Sequence, residues 1–263
     1  MSTLAPERAT YTARRQRAEE LAERYPFAAE VLRFYAALAP VMEEIAELAH
    51  ERRPALKEVP SLAAERAMPA VVAATSAAGP EQLAAALQGI VYGTNLEGLA
   101  AAWLGGDPTL TASETFLARA SIAPILGARP GILTPPPRPT SLLCPACGAL
   151  PQLSYFAASS EALVTGQRYL LCSRCAHEWV FPRLVCASCG GSDAAQLPIY
   201  ADHQELPSLR VDGCSSCARY LVTVDVAKDP KAIPAVDELA AIPLGLYAGR
   251  RGLKKLATNL MGL

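Results

Sequence analysis

The stretch from Ser141 to Leu153, SLLCPACGALPQL, places two thiols, Cys144 and Cys147, on one short turn with Gly148 directly behind them. Its meaning comes from recurrence. All eight cysteines of the 263-residue chain fall in C-x-x-C pairs: Cys144/Cys147, Cys172/Cys175, Cys186/Cys189 and Cys214/Cys217. Cys144 and Cys186 stand 42 positions apart, as do Cys172 and Cys214, and the same offset carries Gly148 onto Gly190 and Arg168 onto Arg210. A fixed period marks a duplicated structural unit.

A C-x-x-C turn aims two sulfurs at one point, and a second turn completes a tetrahedron of four thiolates. Zinc and a single iron ion both accept such a soft donor set. Gly148 and Gly190 suit a chain that turns under a metal with positive φ. A unit of some 40 residues buries too little apolar surface to fold unaided, so the ion would serve as its core. Structural disulfides fit poorly, because no secretory signal precedes the cysteines. A redox C-x-x-C accounts for one pair more readily than for four in register. The repeat assigns Cys144, Cys147, Cys172 and Cys175 to one site and Cys186, Cys189, Cys214 and Cys217 to a second. A site made from the two middle pairs is the alternative that spacing leaves open.

Composition divides the chain. Before residue 130 there is no cysteine, and alanine and leucine dominate; after residue 140 come the cysteines among β-branched and aromatic residues. Between them, ARPGILTPPPRPTSLL reads as a stiff, extended spacer. The expected architecture is α+β: a helical domain over 1–134, a proline-rich linker over 135–140, two small β metal modules over 141–184 and 185–229, and a C-terminal helical segment over 230–263. The net charge of −1 argues against a general polyanion binder. From Cys144 to Asp225 five arginines face seven carboxylates, so nucleic acid is not an expected partner. The charged N-terminal stretch lacks the apolar run of a signal peptide, and no membrane span is expected, which places the chain in the cytoplasm.

Within the first half, Val31, Phe34, Tyr35, Leu38, Met42, Ile45 and Leu48 form one apolar stripe, which Pro40 should bend or split. PEQLAAALQGIVYGTNLEGLAAAWLGG predicts a helix or a pair, and Thr111 with Glu114 predicts a capping box. Later, QLSYF, RYLLC, HEWVFPRLVC, LRVDGC and RYLVTVDV predict short strands forming hairpins that clamp a metal. A closing helix, interrupted near Pro243 and Gly249, follows. His177 lies two positions after Cys175, but four cysteines leave it unneeded as a ligand; His203 falls in a loop and His50 at a helix end. No nucleophile elbow, phosphate loop or histidine–carboxylate constellation is present, so no catalytic residue is assigned and a non-enzyme is expected.

The motifs CPACG, CSRC, CASCG and CSSC, behind a helical half and a proline-rich junction, resemble those of the formate dehydrogenase accessory proteins called FdhE. The run from Arg168 to Gly190, RYLLCSRCAHEWVFPRLVCASCG, carries the resemblance most specifically, with Trp179 between the second and third cysteine pairs. The resemblance implies a cytoplasmic maturation factor that binds the catalytic subunit of a formate dehydrogenase before export. It also implies rubredoxin-type mononuclear iron at both four-cysteine sites, zinc being the alternative. A rubredoxin-like electron carrier and a zinc-ribbon adapter for protein or nucleic acid are the competing classes. The client is expected in a cleft between the helical half and the metal modules.

Overall fold

In the computed structural model residues 9–129, 131–133, 142–157 and 166–263 are described, so the predicted linker at 135–140 lies outside the described residues. The alanine- and leucine-rich half folds as helices. α1 (Tyr11–Arg24) starts on a Thr10 cap, and α2 (Ala29–Arg52) carries the apolar stripe. α2 runs through Pro40 without splitting. Leu38, Ala39 and Met42 beside it are buried, and their packing offsets the backbone hydrogen bond that proline removes. α3 (Val59–Leu62) continues through a π turn at Ala63–Ala67 into α4 (Met68–Ala78). The glycine-containing segment forms a pair, α5 (Glu81–Gly93) and α6 (Leu96–Gly105). α7 (Ala112–Ala128) begins on the predicted capping box: Glu114 N–H donates to Thr111 Oγ1 at 3.2 Å, and Thr111 N–H donates back to Glu114 Oε2 at 2.8 Å.

Among the described residues, the second half forms a mixed sheet of seven strands. β1 (Pro151–Phe156), β2 (Arg168–Cys172) and β3 (Glu178–Val180) form an antiparallel meander, and β4 (Ile199–Ala201), β5 (Leu209–Cys214) and β6 (Arg219–Asp225) form another. The order across the sheet is β3-β2-β1-β6-β5-β4, with β1 and β6 joined in parallel, Leu153 opposite Val222 and Tyr155 opposite Val224. The two modules therefore share one sheet instead of standing as separate β units. Alternation assigns its faces. Leu153, Tyr155, Tyr169, Leu171, Val211, Val222 and Val224 pack with α1, the start of α2 and the C-terminal segment. Leu170 and Leu221 face the other way, beneath Phe181 and Ala187.

The closing segment contains α8 (Pro234–Asp237), a 3-10 turn at Glu238–Ala240 and α9 (Ile242–Arg250). The chain then turns at Gly252, φ 79°, and β7 (Lys254–Lys255) adds to β6 in parallel. Buried Arg17 on α1 pairs with buried Asp237 on α8. Arg119 on α7 donates to Thr258 O at 2.7 Å and to Gln152 Oε1 on β1. Leu260 and Met261 touch both major cores. The described parts of the two halves are thus packed on each other, and a cleft of about 250 Å³ lies between them, with Tyr11, Tyr35 and Pro124 on the helical side and Leu171, Arg174 and Leu239 on the other.

Candidate metal centres

Each cysteine pair sits where a strand ends or begins. Cys144 and Cys147 turn the chain into β1. Cys172 ends β2, and Cys175 lies in the turn to β3. Cys186 and Cys189 follow β3, while Cys214 and Cys217 link β5 to β6. The first turn of each unit is built the same way. Gly148 N–H donates to Cys144 O at 2.8 Å, Cys144 N–H to Ala149 O at 2.8 Å and Ala146 N–H to Cys144 Sγ at 3.3 Å. At the 42-residue offset, Gly190 N–H donates to Cys186 O at 3.0 Å, Cys186 N–H to Gly191 O at 2.8 Å and Ser188 N–H to Cys186 Sγ at 3.4 Å. Gly148 and Gly190 take φ of 72° and 78°, the left-handed region that their position requires. The second turns repeat the device without glycine: Ala176 and Ala218 take φ of 52° and 53°. Sequence reading missed these two, because alanine gives no signal of a left-handed residue.

The structure gathers the eight cysteines into two groups, Cys144, Cys147, Cys172 and Cys175 in one and Cys186, Cys189, Cys214 and Cys217 in the other, each with its sulfurs mutually within 4.8 Å. The middle-pair alternative is not what the chain forms. No cysteine is in a disulfide. Across the inner group Cys144 and Cys175 sulfurs lie 3.7 Å apart, and Cys147 and Cys172 3.3 Å. Across the outer group Cys186–Cys217 and Cys189–Cys214 are each 3.8 Å apart. A tetrahedron with metal–sulfur bonds of ~2.3 Å has edges of ~3.8 Å, so both donor sets fit one thiophilic ion. Such an ion would tie two strand-end turns together, and as iron it would add one-electron chemistry.

Electrostatics also calls for a cation. In the inner group, contact with Cys144 and its neighbours pulls the Cys147 thiol far down and pushes Cys172 and Cys175 far up. In the outer group burial pushes Cys186 up to about 12. Cys214, which burial would also raise, is drawn down to about 7 by the Cys217 N–H and adjacent thiols. Thiols in mutual contact cannot all ionise alone; a bound cation lets all four be thiolates.

The surroundings of the two groups differ. Cys144, Cys172 and Cys175 are 2%, 2% and 6% exposed and belong to the core of the helical half, together with Trp103 and Phe116. Arg174, in the second turn, reaches the Cys147 carbonyl at 3.5 Å and lies against Gly106 at the end of α6. The outer group has Cys189 exposed and Cys217 half-buried. Trp179 packs against the cores on either side of it. His177 belongs to the turn of the inner group, where its carbonyl accepts from Cys172 N–H at 2.9 Å, and its ring is not among the gathered ligand atoms. His50 lies in the last turn of α2 and His203 in a turn before β5. No described helix is long and apolar enough to cross a membrane.

Residues 143–183 match the family described as FdhE, central domain. A protein FdhE homolog of Aquifex aeolicus is 31% identical over 119 residues, 45% of this chain and 41% of that protein. One of Pseudomonas aeruginosa is 35% identical over 122 residues, 45% of this chain and 39% of that protein. The matched region thus spans about two fifths of the length of these relatives. The crystal structure of the FdhE protein from Pseudomonas aeruginosa superposes with a TM-score of 0.72 at 24% identity, over 97% of this chain and 96% of that one. The resemblance to the FdhE proteins read from the cysteine motifs is therefore borne out, in sequence through the central cysteine region and in fold over nearly the whole chain.

Proposed function

We propose that this chain is a cytoplasmic accessory protein that binds the catalytic subunit of a formate dehydrogenase and supports its activation before export. Its two four-cysteine groups each hold one iron ion, with zinc as the alternative occupant. One observation carries the reading: two duplicated four-thiol cages set in the FdhE fold. Such cages hold a binding surface in shape and need no catalytic group of their own.

The test joins metal analysis to capture. The full chain, purified aerobically from cells that supply both metals, is expected to carry two irons and the red absorption of thiolate-to-iron charge transfer. A colourless protein with two zincs would remove the iron assignment and leave the accessory role standing. Capture of a formate dehydrogenase catalytic subunit from a mixture with an unrelated molybdenum enzyme is expected to be selective. Equal recovery of both would remove the client assignment.

A further inference from the structure

A concavity of about 740 Å³ lies on the face of the sheet turned away from α1 and α2, and its lining among the described residues comes from the second half. Its floor holds the repeat-related pair Arg168 and Arg210, on β2 and β5, which converge on one carboxylate. Arg168 Nη2 is 3.4 Å from Asp212 Oδ2, and Arg210 Nε is 2.9 Å from Asp212 Oδ1. Thr223 Oγ1 donates to the same carboxylate at 2.7 Å. Arg168, 3% exposed, also donates to the carbonyls of Pro182, Arg183 and Val185, fastening the loop before Cys186 to the sheet. Its Nε has no hydrogen-bond partner among the described residues.

Nearer the mouth, the Phe156 ring lies between two guanidinium groups, Arg183 at 4.4 Å and Arg210 at 4.7 Å. Stacking on a ring face leaves the edge N–H groups of a guanidinium able to meet a carboxylate, as Arg210 meets Asp212. Arg183 Nη2 donates to the Gly166 carbonyl, and its guanidinium meets no carboxylate among the described residues. The cleft as a whole presents four arginines against Asp212 and Asp225. Arg219 stands in register with Cys214 of the outer cage, and it lines the cleft together with Cys186 of the same cage. With Arg219 set against that cage, three arginines face two carboxylates, and a concave wall focuses the excess of one positive charge on an anion.

The rest of the wall is apolar, and it is open to solvent: Leu184 is 69% and Ile199 56% exposed. Ile199 belongs to β4, the last strand in the sheet order, whose outer edge has no partner strand among the described residues. A lone phosphate or carboxylate would fill little of this volume and would leave those side chains and that edge uncovered. An extended polypeptide fits all three features. A Glu or Asp side chain meets the stacked arginines, flanking apolar side chains cover Leu184 and Ile199, and the backbone lies along β4 as an added strand.

We infer that this cleft grips an acidic, apolar-flanked segment of a partner polypeptide. That the partner is the formate dehydrogenase subunit rests on the function proposed above; the chemistry of the cleft does not. The test uses the metal-loaded full chain and labelled peptides alternating Glu with Leu or Lys with Leu, read by fluorescence anisotropy. The acidic peptide is expected to bind about ten-fold or more tighter than the basic one, with Arg183→Glu and Ile199→Asp each removing about ten-fold at unchanged metal content. Equal binding of the two peptides, indifference to both substitutions, or full displacement by inorganic phosphate overturns the inference. In parallel, wild-type and Arg183→Glu chains are offered the formate dehydrogenase subunit. Capture by both overturns the cleft as its site and leaves the accessory role intact. Capture by neither removes the accessory reading, and the peptide measurement still judges the cleft.

Discussion

The two cages share one covalent design, yet they should release their ions at very different rates. Three of the inner cysteines belong to the core of the helical half and the half-buried Cys147 packs against it, whereas the outer set has Cys189 exposed to solvent. A chelator reaches the outer ion directly. It reaches the inner one only after that core loosens, which bares side chains of the size of Trp103 and Phe116. Exposing two such side chains costs ~3–6 kcal/mol at ~1.5–3 kcal/mol each. Opening is then populated once in roughly 10²–10⁴ molecules, and release slows by the same factor. The assay is metal transfer to a coloured chelator, followed together with far-ultraviolet circular dichroism. The expected record has two phases of one equivalent each, the first without loss of helical signal. Cys189→Ser should abolish the fast phase alone, and Cys172→Ser should cost the helical half its cooperative unfolding. A single phase in the wild type, or loss of the slow phase in Cys189→Ser, would refute the reasoning.

Arg17→Met leaves Asp237 buried without its cation, a loss of ~3–5 kcal/mol, and the thermal midpoint should fall by roughly 6–10 °C; an unchanged midpoint would deny the α1–α8 link. Burial alone would raise the Asp229 pKa, but Arg17 holds it below the ordinary carboxylate value. Its contribution to stability is therefore complete above that ordinary value and disappears as pH falls through the lower folded value. Asp229→Asn should flatten that acid limb of an unfolding titration and leave the neutral region merely lowered. Gly148→Ala meets no atom within 4 Å, so only its left-handed backbone, at ~1–2 kcal/mol, opposes it. The inner metal dissociation constant should rise about ten-fold or more in a chelator competition, by ~1.4 kcal/mol per decade; a change of less than two-fold would mean the turn carries no such strain.

The chemistry of the cages was legible because a thiol pair leaves a local, periodic mark, and the 42-residue echo assigned each pair to its partner. Helix positions were legible for a similar reason: the α2 stripe and the Thr111–Glu114 box act within a few residues of themselves. What sequence reading lost was non-local. β4 is three residues long with two of them exposed, so it shows no alternation to read. β7 consists of two lysines that look like surface charge until β6 pairs with them. The joint between β1 and β6 connects segments some seventy residues apart and carries no turn motif. Buried charges were equally hidden. Arg17, Arg119 and Arg168 give no sequence signal of burial, and only their partners at Asp237, Gln152 and Asp212 explain why burial is tolerated. The one available signal was the Arg168–Arg210 offset, which marked a shared position in the repeat before its cleft was apparent.

How the duplicated units join accounts for their unequal fates. In the order β3-β2-β1-β6-β5-β4 each unit runs the same way across the sheet, and the parallel β1–β6 seam places the first strand of one against the last strand of the other. This is a head-to-tail contact, related more by translation than by a two-fold axis, and such a contact never makes its two members equivalent. In a two-fold pair both cages would meet the same neighbours. Here one unit has its outer edge at β3 and the other at β4, so whatever covers one cage has no counterpart over the other. The helical half packs onto the first unit and turns its cage into core. The second cage stays at the surface, its Cys186 forming part of the wall of the arginine cleft. A ligand in that cleft therefore touches the turn that holds the outer ion and is remote from the turn fixed by Arg174 at α6. Occupancy of the cleft should alter the release of the outer ion and leave the inner one unaffected, because only the outer cage shares residues with it.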